Sequence, residues 1–338
     1  MVGFSLKDSV SGAVVSQYSK VIKYDKVIRF DTDDEDSKKE IVTALKNAGA
    51  EYTEVMETSI TYTVTELQMA TLVVGDLNEI AGMRELTDWK TGKTVSITDD
   101  GIYIHRRAAE IYNLTEGSKI SIAIDGIYTA DFTVAGIFDN HIGQLMILSP
   151  ECLRTHFDDL EYKPDTMYVR TSGGNKTTLE DSLKKIKGVN EIKDSDTDRK
   201  IIEASNSAVD TVTMIMIAMA AVMAGVVLLN LTNVYIMEKK AEMSIMRING
   251  YTVKEVIWYV SLETIATTII GIILGVILGC AVSYKIIREV EQPFIMYVRS
   301  TSLKAILMGI FVALVFEFIV NVIALRKVRK LKLTDMTQ

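Results

Sequence analysis

The sequence predicts an α+β extracytoplasmic domain, built as a split β-α-β subdomain with a β-rich insertion, followed by an all-α membrane domain of three transmembrane helices. Three observations predict it. Two β-α units far apart in the chain share one pattern. Three long stretches between Thr211 and Leu325 are nearly free of charge, and the balance of charge changes sign where the first of them begins. The expected division is 1–208 for the soluble domain and 209–338 for the membrane domain.

Of the 44 acidic residues 35 precede Asp210, against 24 of the 37 basic ones, so residues 1–209 carry a net −11 and residues 210–338 a net +4. So acidic a first part is unsuited to binding nucleic acid or an anionic membrane surface.

From Met1 to Asp25 there is neither the apolar core of a signal peptide nor a spanning helix. Residues 5–20 read as a mixed helix able to continue out of a preceding membrane span. An exported domain needs such a span, so the expectation is a chain that begins just after it, as a fragment or split part of a longer protein. A cytoplasmic N-terminal domain is the competing topology.

Next comes the first β-α unit. The strand-like Lys26-Val-Ile-Arg-Phe30 is followed by an acidic loop, and Ser37-Lys-Lys-Glu40 opens a helix with Ile41, Leu45 and Ala48 on one face and Gly49 at its end. In the second unit Met167-Tyr-Val-Arg170 is followed by Gly173-Gly174, and Thr177-Thr-Leu-Glu180 opens a helix with Leu179, Leu183 and Ile186 on one face and Gly188 at its end. Each is a strand, a capping box and a Gly-stopped amphipathic helix, and such paired units can form one subdomain around an insertion. The insertion reads as mostly β. After a short helix over 105–112, Ile120, Ile122 and Ile124 alternate with polar or small residues, Asp125-Gly126 supplies the turn, and Phe132, Val134 and Ile137 continue on the return strand. The polar stretch from Lys193 to Lys200 then leads into a stalk helix, 201–209.

A helix needs roughly 20 apolar residues to cross the hydrocarbon core, and three stretches pass: about 211–237, 256–284 and 305–325. The first has no charge, the second only Glu263 and the third only Glu317. These acids are costly in lipid; Glu263 lies within about two turns of the cytoplasmic end, whereas the deeper Glu317 should face protein. Gly271, Gly275 and Gly279 recur every fourth residue and leave one narrow face on which another helix can pack closely. Lys239, Lys240, Arg247 and Lys254 between the first two spans, and Arg326, Lys327, Arg329, Lys330 and Lys332 behind the third, place both segments in the cytoplasm by the positive-inside rule. The soluble domain then lies outside a multi-pass protein of the cell membrane, and the tail lies inside.

Catalytic and cofactor chemistry is not expected. Gly92-Lys93-Thr94 lacks the upstream glycine of a phosphate loop, since Thr87 stands there, and strand-like residues follow where that loop needs a helix. Cys152 and His156 stand four apart, but two candidate ligands make no metal site. Neither a disulfide framework nor a Ser/His/Asp set can be built from two cysteines and three histidines.

The linker between the first two spans is too charged to enter the bilayer. Residues 238–248 can continue the first span as a helix, with Glu238 and Glu242 one turn apart and Met243, Ile245, Met246 and Ile248 as apolar contacts; Asn249-Gly250 stops it and Val253 starts the return. A charged hairpin with exposed methionines suits a cytoplasmic partner better than a solvated loop.

Residues 209–338 resemble the FtsX-like permease domain of MacB-type ABC transporters. The resemblance rests on Asn230, Glu238, Glu242, Ile245-Met-Arg247, Asn249-Gly250, Glu263 and the three glycines, followed by a third span with a basic tail. Residues 1–208 resemble the external core domain of the same family, most clearly over 100–117 and 132–137. The family has four spans, and this chain departs from it in having three. The resemblance implies a non-catalytic permease subunit that couples ATP hydrolysis by a separate cytoplasmic ABC ATPase to movement of the external domain, working with a second permease unit or the rest of a longer permease chain. It implies that Glu238, Lys239, Glu242, Met246, Arg247 and Gly250 form the ATPase-coupling hairpin. The rival expectation is a non-transporting, membrane-anchored binding or scaffold module.

Overall fold

The computed structural model describes residues 1–330 apart from Ser96, Asp158 and 172–175. The expected Gly173-Gly174 turn therefore lies outside the described residues. The chain divides into two compact units. The helical unit joins Met1–Val10, Asn206–Val290 and the chain from Val298 onward; the α/β unit joins Ser11–Ser205 with Glu291–Tyr297.

The chain opens with α1 (Val2–Ser16), which widens into a π-helical turn at Gln17–Val21. Strand β1 (Lys26–Phe30), helix α2 (Glu35–Asn47) and the long strand β2 (Ala50–Thr63) follow. Helix α2 starts earlier than the Ser37 capping box suggests. Asp34 caps it, with Oδ1 accepting from the Ser37 amide at 3.0 Å, because Asp caps as well as Ser and the acidic Glu35 and Asp36 suit the positive end of the helix. Next come β3 (Leu67–Val74), α3 (Leu77–Met83), β4 (Ile102–His105), α4 (Arg106–Tyr112), β5 (Lys119–Ile124), β6 (Tyr128–Phe138), β7 (Leu145–Leu148) and α5 (Pro150–His156). Strand β8 (Thr166–Thr171), helix α6 (Lys176–Leu183) and strand β9 (Val189–Asp194) complete the α/β unit.

The strands run in the order β9-β1-β8-β2 on one side, every neighbouring pair antiparallel. Ile28, Phe30, Met167 and Val169 from this sheet meet Ile41 and Leu45 of α2 and Leu179 and Leu183 of α6 in one core. Gly188 does not end α6, which stops at Leu183 before Ile186; it marks a close approach instead. A Cβ there would lie 2.4 Å from that of Ser37, whose hydroxyl accepts from the Gly188 amide at 3.2 Å, so the two β-α runs touch where only glycine fits. Lys26 is buried between Glu180, at 2.8 Å, and Asp194, at 3.3 Å, which neutralise its charge across the same layer.

On the other side six strands close into a ring, β3-β7-β4-β6-β5-β2, completed by the β2–β3 pairing. Closure removes the exposed edges. Alternate residues share a face: Ile60, Leu72, Ile104, Ile122, Phe132 and Met146, one from each strand, meet in a single cluster. Val55, Val73, Tyr103 and Ile147 belong to a second cluster with Leu77, Ile80 and Met83 of α3. Asp125 and Gly126 both adopt positive φ in the β5–β6 turn, which Asp and Gly tolerate.

Three long helices complete the chain: α7 (Ser195–Ile248), α8 (Val253–Val290) and α9 (Leu303–Lys330). The polar stretch over 193–200 is not a lead-in to a stalk starting at 201. Asp194 accepts from the amide and hydroxyl of Thr197, and Arg199 pairs with Glu203 one turn on at 2.8 Å, so these charges stabilise the first turns of α7 itself. Among the described residues α7 and α8 are long and apolar enough to cross a bilayer; α9 contains the third expected span.

Candidate functional site: the hairpin between α7 and α8

Helix α7 continues past its apolar stretch without a break and ends in a defined turn. The Gly250 amide donates to the carbonyl of Arg247 at 3.2 Å and the Tyr251 amide to that of Met246 at 3.1 Å, with Gly250 at φ +92°. This is a Schellman ending, which satisfies otherwise orphaned helix carbonyls and requires a left-handed residue. The return is capped as firmly. The Glu255 carboxylate accepts from the Thr252 amide at 2.7 Å and hydroxyl at 2.8 Å, forming a capping box at the start of α8. These same bonds, the amide first, hold the Glu255 carboxyl below its usual range.

Beneath the turn, Ile236 and Met243 of α7 and Val256 of α8 are buried together, with Met246 packed on them. Glu238, Glu242 and Gly250 are exposed, and Arg247 is half-buried with Nη1 donating to the Tyr251 carbonyl at 3.3 Å. Lys239 pairs with Glu242 at 2.9 Å and reaches Glu263 of α8 at 3.6 Å. Met237, Ile245 and Ile248 are more than half exposed around this charged frame. Of the residues singled out from sequence, Lys239, Glu242 and Glu263 thus stand together, and Met246 braces the two arms. Tyr235, Thr252 and Glu255 were missed; the Thr-x-x-Glu spacing was a visible signal, whereas Tyr235 gave none.

The sequence of this segment now bears comparison with known proteins. The family model described as FtsX-like permease C-terminal matches residues 214–333. These residues are thus similar to that domain, over about a third of the chain. No curated protein matches the chain. Among solved structures, the periplasmic region of MacB from Actinobacillus actinomycetemcomitans is similar at 16% identity, over 54% of this chain and 94% of that one, with a TM-score of 0.35. The extracellular domain of the noncanonic ABC-type transporter YknZ from Gram-positive bacteria is similar at 13% identity, over 50% of this chain and 98% of that one, with a TM-score of 0.34.

Within the matched residues the glycine ladder is used unevenly. At Gly279 a Cβ would lie 2.8 Å from Sδ of Met1, but at Gly271 and Gly275 it would meet nothing within 4 Å. Those two glycines line an apolar cleft of about 470 Å³ together with Ala221, Ala313, Phe316 and the half-buried Glu317. A comparably close approach occurs at Gly225, where a Cβ would lie 2.9 Å from the Phe316 ring. No cluster of three potential metal-binding side chains occurs among the described residues.

Proposed function

We propose that this chain is an ABC transporter permease subunit that couples ATP hydrolysis by a separate cytoplasmic ATPase to movement of an extracytoplasmic domain, for export or mechanotransmission. The observation that carries the reading is the α7–α8 hairpin inside the FtsX-like match. It is stopped by a Schellman turn, capped by a Thr-x-x-Glu box and cross-braced by Lys239, yet it presents Ile245 and Ile248 to solvent. A rigid charged frame around exposed apolar side chains suits a protein partner, because little ordering entropy is lost on docking.

Under this reading Glu238, Lys239, Glu242, Met246, Arg247 and Gly250 form the ATPase contact, and α9 supplies a third span behind α7 and α8. The α/β unit lies outside the cell membrane as a split subdomain around its β-rich insertion, the tail lies inside, and a second permease unit or the rest of a longer permease chain completes the assembly. The experiment is co-purification of the ATPase with Glu242→Lys and Gly250→Ala variants of the full chain. Loss of the ATPase from both supports the coupling hairpin; undiminished binding sinks it and favours a non-transporting membrane scaffold. Maleimide labelling of Asn113→Cys from outside intact cells tests the orientation, since Asn113 is exposed at the end of α4, and protection there would reverse it.

A further inference from the structure

Between α8 and α9 the chain runs through the α/β unit as a strap, Glu291–Tyr297. A tight turn closes it, with the Ile295 amide donating to the Gln292 carbonyl at 3.2 Å. Ile295 then pairs antiparallel with Ile142. The flanking bonds run from the Gly143 amide to the Phe294 carbonyl, 2.8 Å, and from the Met296 amide to the His141 carbonyl, 2.9 Å. Ile142 and Ile295 therefore face each other as a non-hydrogen-bonded pair. His141 adds a side-chain tie, Nδ1 lying 3.1 Å from the Met296 carbonyl; a carbonyl only accepts, so this nitrogen carries the proton.

The strap begins at a buried charge. The Glu291 side chain is 0% exposed, and Arg107 on the first turn of α4 meets its Oε2 at 3.2 Å. Arg107 also donates to the Glu291 carbonyl at 2.7 Å, and the Tyr297 amide donates to Glu291 Oε1 at 3.1 Å, closing the strap on itself. A buried ion pair is a poor source of net stability but fixes register well, since any slip leaves a charge unpaired.

The far side of the same loop is gripped by the chain that follows α1. Gln17 donates to Asn140 Oδ1 at 2.9 Å and accepts from the His141 amide at 2.8 Å, while Asn140 donates to the carbonyls of Ile142 and Gly143. Arg84 holds Asn140 Oδ1 from below at 3.2 Å. Residues 140–143 are thus held by the α1 extension on one side and by the strap on the other.

We propose that Arg107 is a positioning latch: by clamping Glu291 it holds the strap in register on residues 140–143, so that movement of α8 and α9 reaches the loop that Gln17 also grips. The latch rests on the reading that the membrane helices drive the α/β unit. It is tested on the full chain carrying Cys152→Ala and Cys280→Ala, in lipid nanodiscs. Arg107→Met removes the guanidinium that meets Glu291 Oε2 and its carbonyl, so amide exchange at 141–143 and 294–296 should accelerate about tenfold or more while β1 and β9 stay protected. Unchanged exchange overturns the latch whatever the chain's function. A second arm uses Ile142→Cys with Ile295→Cys, since facing non-hydrogen-bonded residues stand about 4.5 Å apart, within disulfide reach. With the ATPase and ATP present, spin labels at Lys90→Cys and Lys304→Cys should report a distance change in the parent; where the facing pair is also present it is oxidised first, so that its thiols are consumed before the label is added. Arg107→Met should lose that change and the oxidised pair should restore it. A full change in Arg107→Met, or no rescue by the disulfide, also overturns the latch. A parent that shows no ATP-dependent change overturns the coupling function instead, and the exchange arm still decides the latch.

Discussion

The phenol of Tyr235 on α7 donates to Oε2 of Glu263 on α8 at 2.7 Å, and the ammonium of Lys239 stands 3.6 Å from the same oxygen. A carboxylate that looks costly beside an apolar span is therefore the acceptor that ties the two arms of the hairpin together. Hydrogen bonds between membrane helices contribute on average about 0.6 kcal/mol. Tyr235→Phe should lower the stability of the detergent-purified chain by about that much, and Glu263→Ala by more, because it removes the acceptor of Tyr235 and leaves Lys239 with Glu242 alone of its two carboxylates. Thermal unfolding of the two variants checks the order; equal midpoints for Glu263→Ala and the parent would remove the brace.

A close helix approach in the helical unit lies at Gly225 rather than on the open part of the expected ladder. A methyl group at Gly225 would press on the Phe316 ring at 2.9 Å, whereas one at Gly271 or Gly275 meets open space. Overpacking of this kind costs about 1–3 kcal/mol. Gly225→Ala should therefore destabilise the chain, while Gly271→Ala and Gly275→Ala leave its unfolding midpoint within error. A Gly271→Ala variant as unstable as Gly225→Ala would contradict the packing.

How much of this could be read beforehand depended on the range of each signal. The end of α7 at Asn249-Gly250 and the restart at Val253 were legible because caps are written within four residues of where they act. The β5–β6 turn was legible for the same reason. The closed ring was not, since β3 pairs in parallel with β7 across more than seventy residues and no local pattern encodes that register. The Asp34 cap was hidden by a second plausible cap at Ser37. The glycine ladder told where α8 could be approached, but not which partner would use it, and the bulk that meets Gly225 comes from Phe316 on another helix. The grip of Arg107 on Glu291 joins residues 184 apart, beyond any motif.

Cys152 should be inert in the native chain. It lies 3% exposed in the core of the ring, and burial, with Asp99 and Asp100 adding repulsion, pushes its thiol up to about 11. The thiolate is the reactive form, and at neutral pH it is scarce as well as shielded. Its Sγ lies 3.8 Å from Nδ1 of His156, which is already engaged with the Cys152 carbonyl at 2.9 Å. Labelling at Cys152 in a Cys280→Ala chain should proceed only as fast as the ring opens, and denaturant should raise the rate steeply. Rapid labelling under native conditions would show that the ring opens far more readily than its packing implies.

Acid should weaken the α/β unit through His105. The ring is 1% exposed with Nδ1 3.2 Å from the Leu145 carbonyl, and burial drives its pKa down from 6.5 to about 4, assisted by Arg107 against the pull of the Leu145 and Pro293 carbonyls. Between those values the unfolded chain holds a proton that the folded chain does not, so stability rises with pH there. The contribution is fully present above about 6.5, declines as pH falls, and stops changing below about 4, a total on the order of 3 kcal/mol. His141, whose pKa burial also pushes down, acts in the same direction. His105→Gln keeps a donor for the Leu145 carbonyl but cannot titrate. Unfolding measured at pH 7.5 and pH 4.5 should show the parent losing more stability than His105→Gln, since the carboxylates common to both cancel in the comparison. Parallel losses in the two chains would mean that His105 is not held neutral in the folded state.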